Sequence, residues 1–142
     1  MRLPVPEPGL VISYAYLWCD EHRQGFEEGR KTRPCIILAV EHQDGATLVT
    51  VAPITHSEPT DEGKGISLPL RVKQHLGLDD LPSWVIVGEA NRFIWPGYDL
   101  RPVPPNGVRC DYGFVPPKLF VAIKTAVLDL VQKRRRAVAP RD

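Results

Sequence analysis

The chain lacks any run of apolar residues near the ~20 that a membrane-crossing helix needs, so no membrane association is expected. Its first residues, Met1-Arg2-Leu3-Pro4-Val5-Pro6-Glu7-Pro8, hold prolines and an acid where a signal peptide has its apolar core, and a cytoplasmic protein is expected. Cysteine is scarce. Cys19, Cys35 and Cys110 are odd in number, far apart and form no Cys-x-x-Cys, which argues against a disulfide framework or a zinc site. Cys19-x-x-His22 offers half a metal site with no second half, so neither metal nor cofactor is expected. Net charge is only +1, so no whole-chain field attracts a polyanion, and any nucleic-acid binding has to rest on local patches. There is no internal repeat and no low-complexity block.

What is present is an ordinary globular composition, 43% hydrophobic and 25% charged, in 142 residues. That length suits one domain burying roughly 70% of its unfolded surface. Fifteen prolines and eleven glycines cut the chain into short pieces, favouring strands and turns over long helices. The strongest local signal is a hairpin. Lys31 to Val40 and Thr47 to Thr55 are rich in β-branched residues and flank His42-Gln43-Asp44-Gly45, whose Asp-Gly step favours a tight turn. Pro34 is placed at the first position of its strand and Pro53 near the end of the other, where a missing N–H is tolerated. Antiparallel pairing then brings Arg33 and Thr55 to the same rim of the sheet.

Around the hairpin, residues 1–8 read as an extended lead-in and Gly9 to Trp18 as a first strand. Cys19 to Thr32 reads as a mobile loop, too polar and too long for a tight turn. His56 to Gly65 is a second loop before a short strand, Ile66 to Leu70. Residues 71–78 suit one or two helical turns stopped by Gly77. Strands are expected over Trp84 to Glu89 and Phe93 to Leu100, and residues 101–117, with several prolines, are irregular. From Pro117 the period changes: Leu119, Phe120, Ile123, Ala126, Val127, Leu130 and Val131 mark the apolar face of a helix over about 117–134. Its end, Lys133-Arg134-Arg135-Arg136, places cations at the negative pole of the helix dipole. Residues 137–142 read as a frayed tail. The expectation is a single mainly β domain over 9–136 with a C-terminal helix, a small and strongly bent barrel.

Several of these segments resemble the PemK/MazF family, the toxin components of type II toxin–antitoxin modules. They are Gly9-Leu10-Val11, Lys31-Thr32-Arg33-Pro34, Val51-Ala52-Pro53-Ile54-Thr55, Trp84 to Leu100 and the C-terminal helix, in that order. The resemblance implies an SH3-like barrel of the PemK/MazF/CcdB type that forms a homodimer. It implies a metal-independent endoribonuclease that cuts single-stranded RNA to a 2′,3′-cyclic phosphate and a 5′-hydroxyl, and a cognate antitoxin whose disordered tail covers the RNA groove. The family's arginine in the Arg-Pro motif corresponds to Arg33 and its threonine to Thr55; an acid used by some members corresponds to Glu89. Where the family often has an arginine two residues before that acid, this chain has Val87, and Trp95-Pro96-Gly97-Tyr98-Asp99 departs from the usual text.

RNA cleavage without a metal needs a proton acceptor for the 2′-OH, fixed positive charge at the phosphorane and a proton for the leaving oxygen. Arg33 suits the second task through bidentate contact with phosphate, or is a solvated strand-end arginine. Thr55 can hydrogen-bond a phosphate oxygen, or stabilise the turn that follows. For the base, Glu89 at the close of an apolar strand competes with His56, since histidines ordinarily titrate near neutrality. His22 could swing in as the acid. Arg23, Arg30, Lys31, Lys64 and Arg92 are candidate RNA contacts, and Phe26 could stack on a base; the plainer reading is a polar surface loop for the others and a structural ion pair for Arg92. Other functions for the same architecture are a non-catalytic nucleic-acid or protein-binding module, or a toxin that inhibits a topoisomerase.

Overall fold

The computed structural model describes residues 1–25, 31–61, 63–105, 107–133 and 137–141. In chain order they form β1 (Leu10–Tyr16), α1 (Cys19–Arg23), β2 (Lys31–Gln43), β3 (Ala46–Thr55), β4 (Gly65–Ser67), α2 (Leu70–Leu76), β5 (Trp84–Ile86), β6 (Glu89–Ile94), β7 (Asp111–Phe114), α3 (Pro117–Gln132) and β8 (Ala137–Pro140). The strands make one eight-stranded sheet that does not close, antiparallel except where β8 runs parallel to β6. The protein is thus mainly β with a C-terminal helix. No helix among the described residues is long and apolar enough to cross a membrane.

The β2/β3 hairpin is the spine of this sheet. Gln43 pairs with Ala46 across a two-residue turn in which Asp44 and Gly45 both take positive φ, 51° and 80°, as a primed hairpin turn demands. The register slips by one residue between Ile37 and Ala39, and this bulge bends the long strand. β1 lies between β2 and β7 and every one of its residues is buried, so it reads as a continuous apolar run. Alternate residues serve different cores. Val11 joins Ile36, Ala52 and Ile54 against Leu76 of α2 and Ile123 and Leu130 of α3. Leu10, Ile12, Tyr14 and Tyr16 join Ile37, Val51 and Phe93 on the other face.

Helix α3 starts at Pro117 and buries Ile123 and Leu130, while Val131, expected on the packed face, is exposed. Helix α2 ends on Gly77, whose φ of 74° is the left-handed cap conformation that only glycine adopts freely. Elsewhere the expectations need correction. Residues 19–23 form a helix instead of a loop, because the Glu21 carboxylate accepts from the Trp18 N–H (3.2 Å) and satisfies its first turn. Strand β2 begins at Lys31, so Pro34 sits inside it, opposite Ser13 of β1. The expected strand over 84–89 divides at Val87-Gly88, where the Val87 N–H turns to the Lys64 carbonyl (2.9 Å). The next strand occupies 89–94 instead of 93–100, since Pro96 cannot donate to a ladder.

The frayed tail is also overturned. The Ala137 N–H donates to the Gly88 carbonyl (3.0 Å) and the Arg141 N–H to the Arg92 carbonyl (2.9 Å). The Arg141 guanidinium, 3% exposed, bonds Asp99 Oδ2 at 2.8 Å and Asn91 Oδ1 at 3.0 Å. Asn91 in turn holds both backbone groups of Leu17. Removing one member of a buried ion pair typically costs about 3 kcal/mol. Arg141→Ala is therefore expected to lower stability by about that amount in urea denaturation, whereas a frayed tail would give no change.

Candidate functional site

The hairpin is closed by Asp44-Gly45 at one end and open at the other. Pairing between β2 and β3 stops at Cys35 and Pro53, and Pro34, the next residue of β2, has no N–H to continue it. The same register carried two residues further sets Arg33 against Thr55. There β3 turns to β5, pairing Ile54 with Val85 and Thr55 with Trp84. Two pockets open at the parted ends. The smaller, about 230 Å³, is lined by Lys31, Arg33, Thr55, His56, Lys73 and Asp79 among others. The larger, about 470 Å³, has Trp18, Arg33, Thr55, Glu58, Pro59 and Lys64 in its wall. Arg33, Thr55 and Ser57 belong to both.

On this shared wall Arg33 and Thr55 are each held by a neighbouring contact. The Arg33 guanidinium lies over the Trp18 ring, 5.1 Å from its centroid, a cation–π contact that holds the charge in place. Its buried Nε–H has no hydrogen-bond partner among the described residues. Thr55 Oγ1 accepts from the Ser57 N–H (3.2 Å), which leaves its own proton to give.

His56 is held by a built arrangement. Its Nε2 lies 2.9 Å from Asp79 Oδ2. Asp79 Oδ1 accepts from Lys73 Nζ at 2.7 Å and from the Leu81 N–H at 3.1 Å. Lys73 is 2% exposed and also donates to Ser83 Oγ (2.7 Å) and to the Leu81 carbonyl. The Lys73 bond, opposed in part by desolvation, holds the Asp79 carboxyl below its usual range. A neutral His56 that donates Nε2–H to this anion keeps Nδ1 as a proton acceptor.

The remaining expected residues divide. Lys31 lines the smaller pocket; Lys64 lines the larger and pairs with Asp61 at 3.1 Å. Glu89 stands apart from both. Its Oε1 accepts from the Tyr16 hydroxyl (3.0 Å) and the Cys19 N–H (2.9 Å), joining β6 to the start of α1. Burial, reinforced by Glu89, raises the Tyr16 hydroxyl far above its ordinary value, so it remains a donor. Arg92 is exposed on β6 opposite Thr50, and Arg23 is exposed on α1 beside Asp20 at 3.6 Å; neither lines either of these two pockets. Nor does His22, on α1. Phe26, Arg30 and the basic residues 134–136 lie outside the described residues. The thiols are poor nucleophiles: burial pushes Cys19 up to about 11 and raises Cys35 and Cys110 as well.

Sequence reasoning missed Trp18, Lys73 and Asp79. Lys73 stands in an amphipathic turn where lysine normally reaches solvent, and no local pattern marks it as the anchor of a carboxylate. Among the described residues no three His, Cys, Asp or Glu side chains gather as a metal site. Comparison of the chain with protein-family models, curated proteins and solved structures finds no match.

The Asp79 anchor has a testable pH signature. Asp79→Ala leaves the buried Lys73 ammonium without its anion and is expected to destabilise the protein by about 2 kcal/mol near neutrality. A carboxyl with a lowered folded pKa stabilises above the unfolded value and loses that contribution as pH falls through the folded one. The difference between wild type and variant, measured by denaturant unfolding, should persist at pH values above 3.8 and shrink on further acidification. A difference independent of pH would disprove the anchor.

Proposed function

We propose that the protein is a metal-independent endoribonuclease acting on single-stranded RNA, of the PemK/MazF toxin type on an SH3-like barrel. The observation that carries this reading is the convergence of Arg33, Thr55 and a carboxylate-oriented His56 on one pocket wall. The reaction follows from their chemistry. A scissile phosphate takes its non-bridging oxygens to the Arg33 guanidinium and to the Thr55 hydroxyl. His56 Nδ1 takes the proton of the adjacent 2′-OH as that oxygen attacks phosphorus. The bond from phosphorus to the 5′-oxygen breaks, and the leaving oxygen takes a proton from solvent. The products are a 2′,3′-cyclic phosphate and a 5′-hydroxyl. Glu89, the other candidate base, is committed to Tyr16 and Cys19, which favours His56.

In this reading the chain works as a homodimer in the cytoplasm and is silenced by a cognate antitoxin whose disordered tail covers the same pockets. A defined single-stranded RNA in excess chelator should yield fragments ending in cyclic phosphate. Arg33→Ala is expected to lower the rate about a hundredfold or more, as loss of a preorganised donor to the transition state does. His56→Ala should cost a similar factor through loss of the base, and Thr55→Val about tenfold through loss of one neutral hydrogen bond. Intact RNA with a shifted gel band would identify a binding module instead.

A further inference from the structure

Arg33, Thr55 and Ser57 line both pockets, so a phosphate held by them borders both cavities. His56 lines only the smaller pocket. Granted the cleavage chemistry above, the ribose that offers its 2′-OH lies on that side. The nucleotide that carries the leaving 5′-oxygen is then directed to the larger pocket. At about 470 Å³ this cavity falls within the range that accepts small molecules. Trp18, Pro59 and Ile86 supply apolar wall against which a base can pack.

The polar groups of this pocket are not equivalent. Lys64 and Asp61 neutralise each other at 3.1 Å. Glu58 is exposed at the wall and has no hydrogen bond or ion pair among the described residues. A carboxylate has acceptors only and takes paired donors best. Guanine is the RNA base whose Watson–Crick edge offers adjacent N–H donors, N1–H and N2–H. We propose that the larger pocket reads the base on the 3′ side of the cleaved bond, and that Glu58 selects guanine there.

The test separates binding from chemistry by using dinucleotides whose first sugar lacks its 2′-OH and cannot be cut. Binding of the UpG, UpU and GpU forms is followed through the indole N–H resonance of Trp18, which lines the larger pocket. UpG is expected to bind about tenfold more tightly than UpU or GpU, and Glu58→Gln to remove that preference. In parallel, all-ribose RNA should be cut preferentially before guanine by wild type and without that preference by Glu58→Gln. Guanine selectivity that vanishes in the variant, with no RNA cut by wild type, keeps the base site and ends the nuclease reading. Cleavage without a preference for guanine, or with one that survives Glu58→Gln, overturns the base site and leaves the nuclease intact. Tighter binding of GpU than of UpG also overturns it, because the base would then sit on the other side. Absence of both binding and cleavage ends both.

Discussion

The backbone ladder between β2 and β3 is the constraint from which the rest of the molecule follows. It is long enough to receive β1 on one side and both β5 and β6 on the other, so the sheet is assembled around it. Its two ends are governed by opposite backbone chemistry. Asp44-Gly45 admits the positive φ angles that close a tight turn, while Pro34 withholds the donor that further pairing requires. Beyond Cys35 and Pro53 the two strands take other partners, Arg33 opposite Tyr14 of β1 and Thr55 opposite Trp84 of β5, and the pockets lie where they part.

Two carboxylates illustrate how environment separates structure from chemistry. Glu89 accepts from a phenol and from a helix N-terminal amide, both permanent donors, and it joins β1, α1 and β6. Its oxygens are spent on holding secondary structure together. Asp79 is held from behind by a buried lysine and a backbone N–H, which leaves Oδ2 facing a histidine at the pocket edge. Burying Lys73 is costly unless its donors are satisfied, and here Asp79, Ser83 and the Leu81 carbonyl satisfy them. The same lysine that would threaten the core thereby fixes the loop after α2 against the end of β3.

Local patterns made much of the fold legible in the sequence. The Asp-Gly turn, the β-branched runs, Gly77 as a helix stop and the three- and four-residue spacing after Pro117 each act over a few residues, and each is found in place. Long-range partners were not legible. Ala137–Pro140 is too short to show a period, and its strand character comes from Glu89–Ile94, some fifty residues away, and from the Arg141 pair with Asp99. The site divides in the same way. Hairpin geometry alone placed Arg33 near Thr55, and chain adjacency brought His56. Lys73, Asp79 and Trp18 arrive from other elements, and no spacing rule joins them to the rim.

In the proposed reading the charge balance of the rim favours one kind of ligand. Lys64 is matched by Asp61 and Lys73 by Asp79, so neither cation contributes much field at the rim. Lys31 and Arg33 have no ion pair among the described residues, and both line the smaller pocket. Arg33 is moreover restrained by Trp18, which removes beforehand part of the entropy that a free arginine loses on binding. In the proposed reading this restrained guanidinium takes an anion with several acceptor oxygens. A carboxylate in that place could satisfy both the guanidinium and the Thr55 hydroxyl, but its chain leaves from one side only. A phosphodiester offers two non-bridging oxygens and two bridging ones, and its chain continues on both sides. Only the latter uses both pockets that the parted strands create.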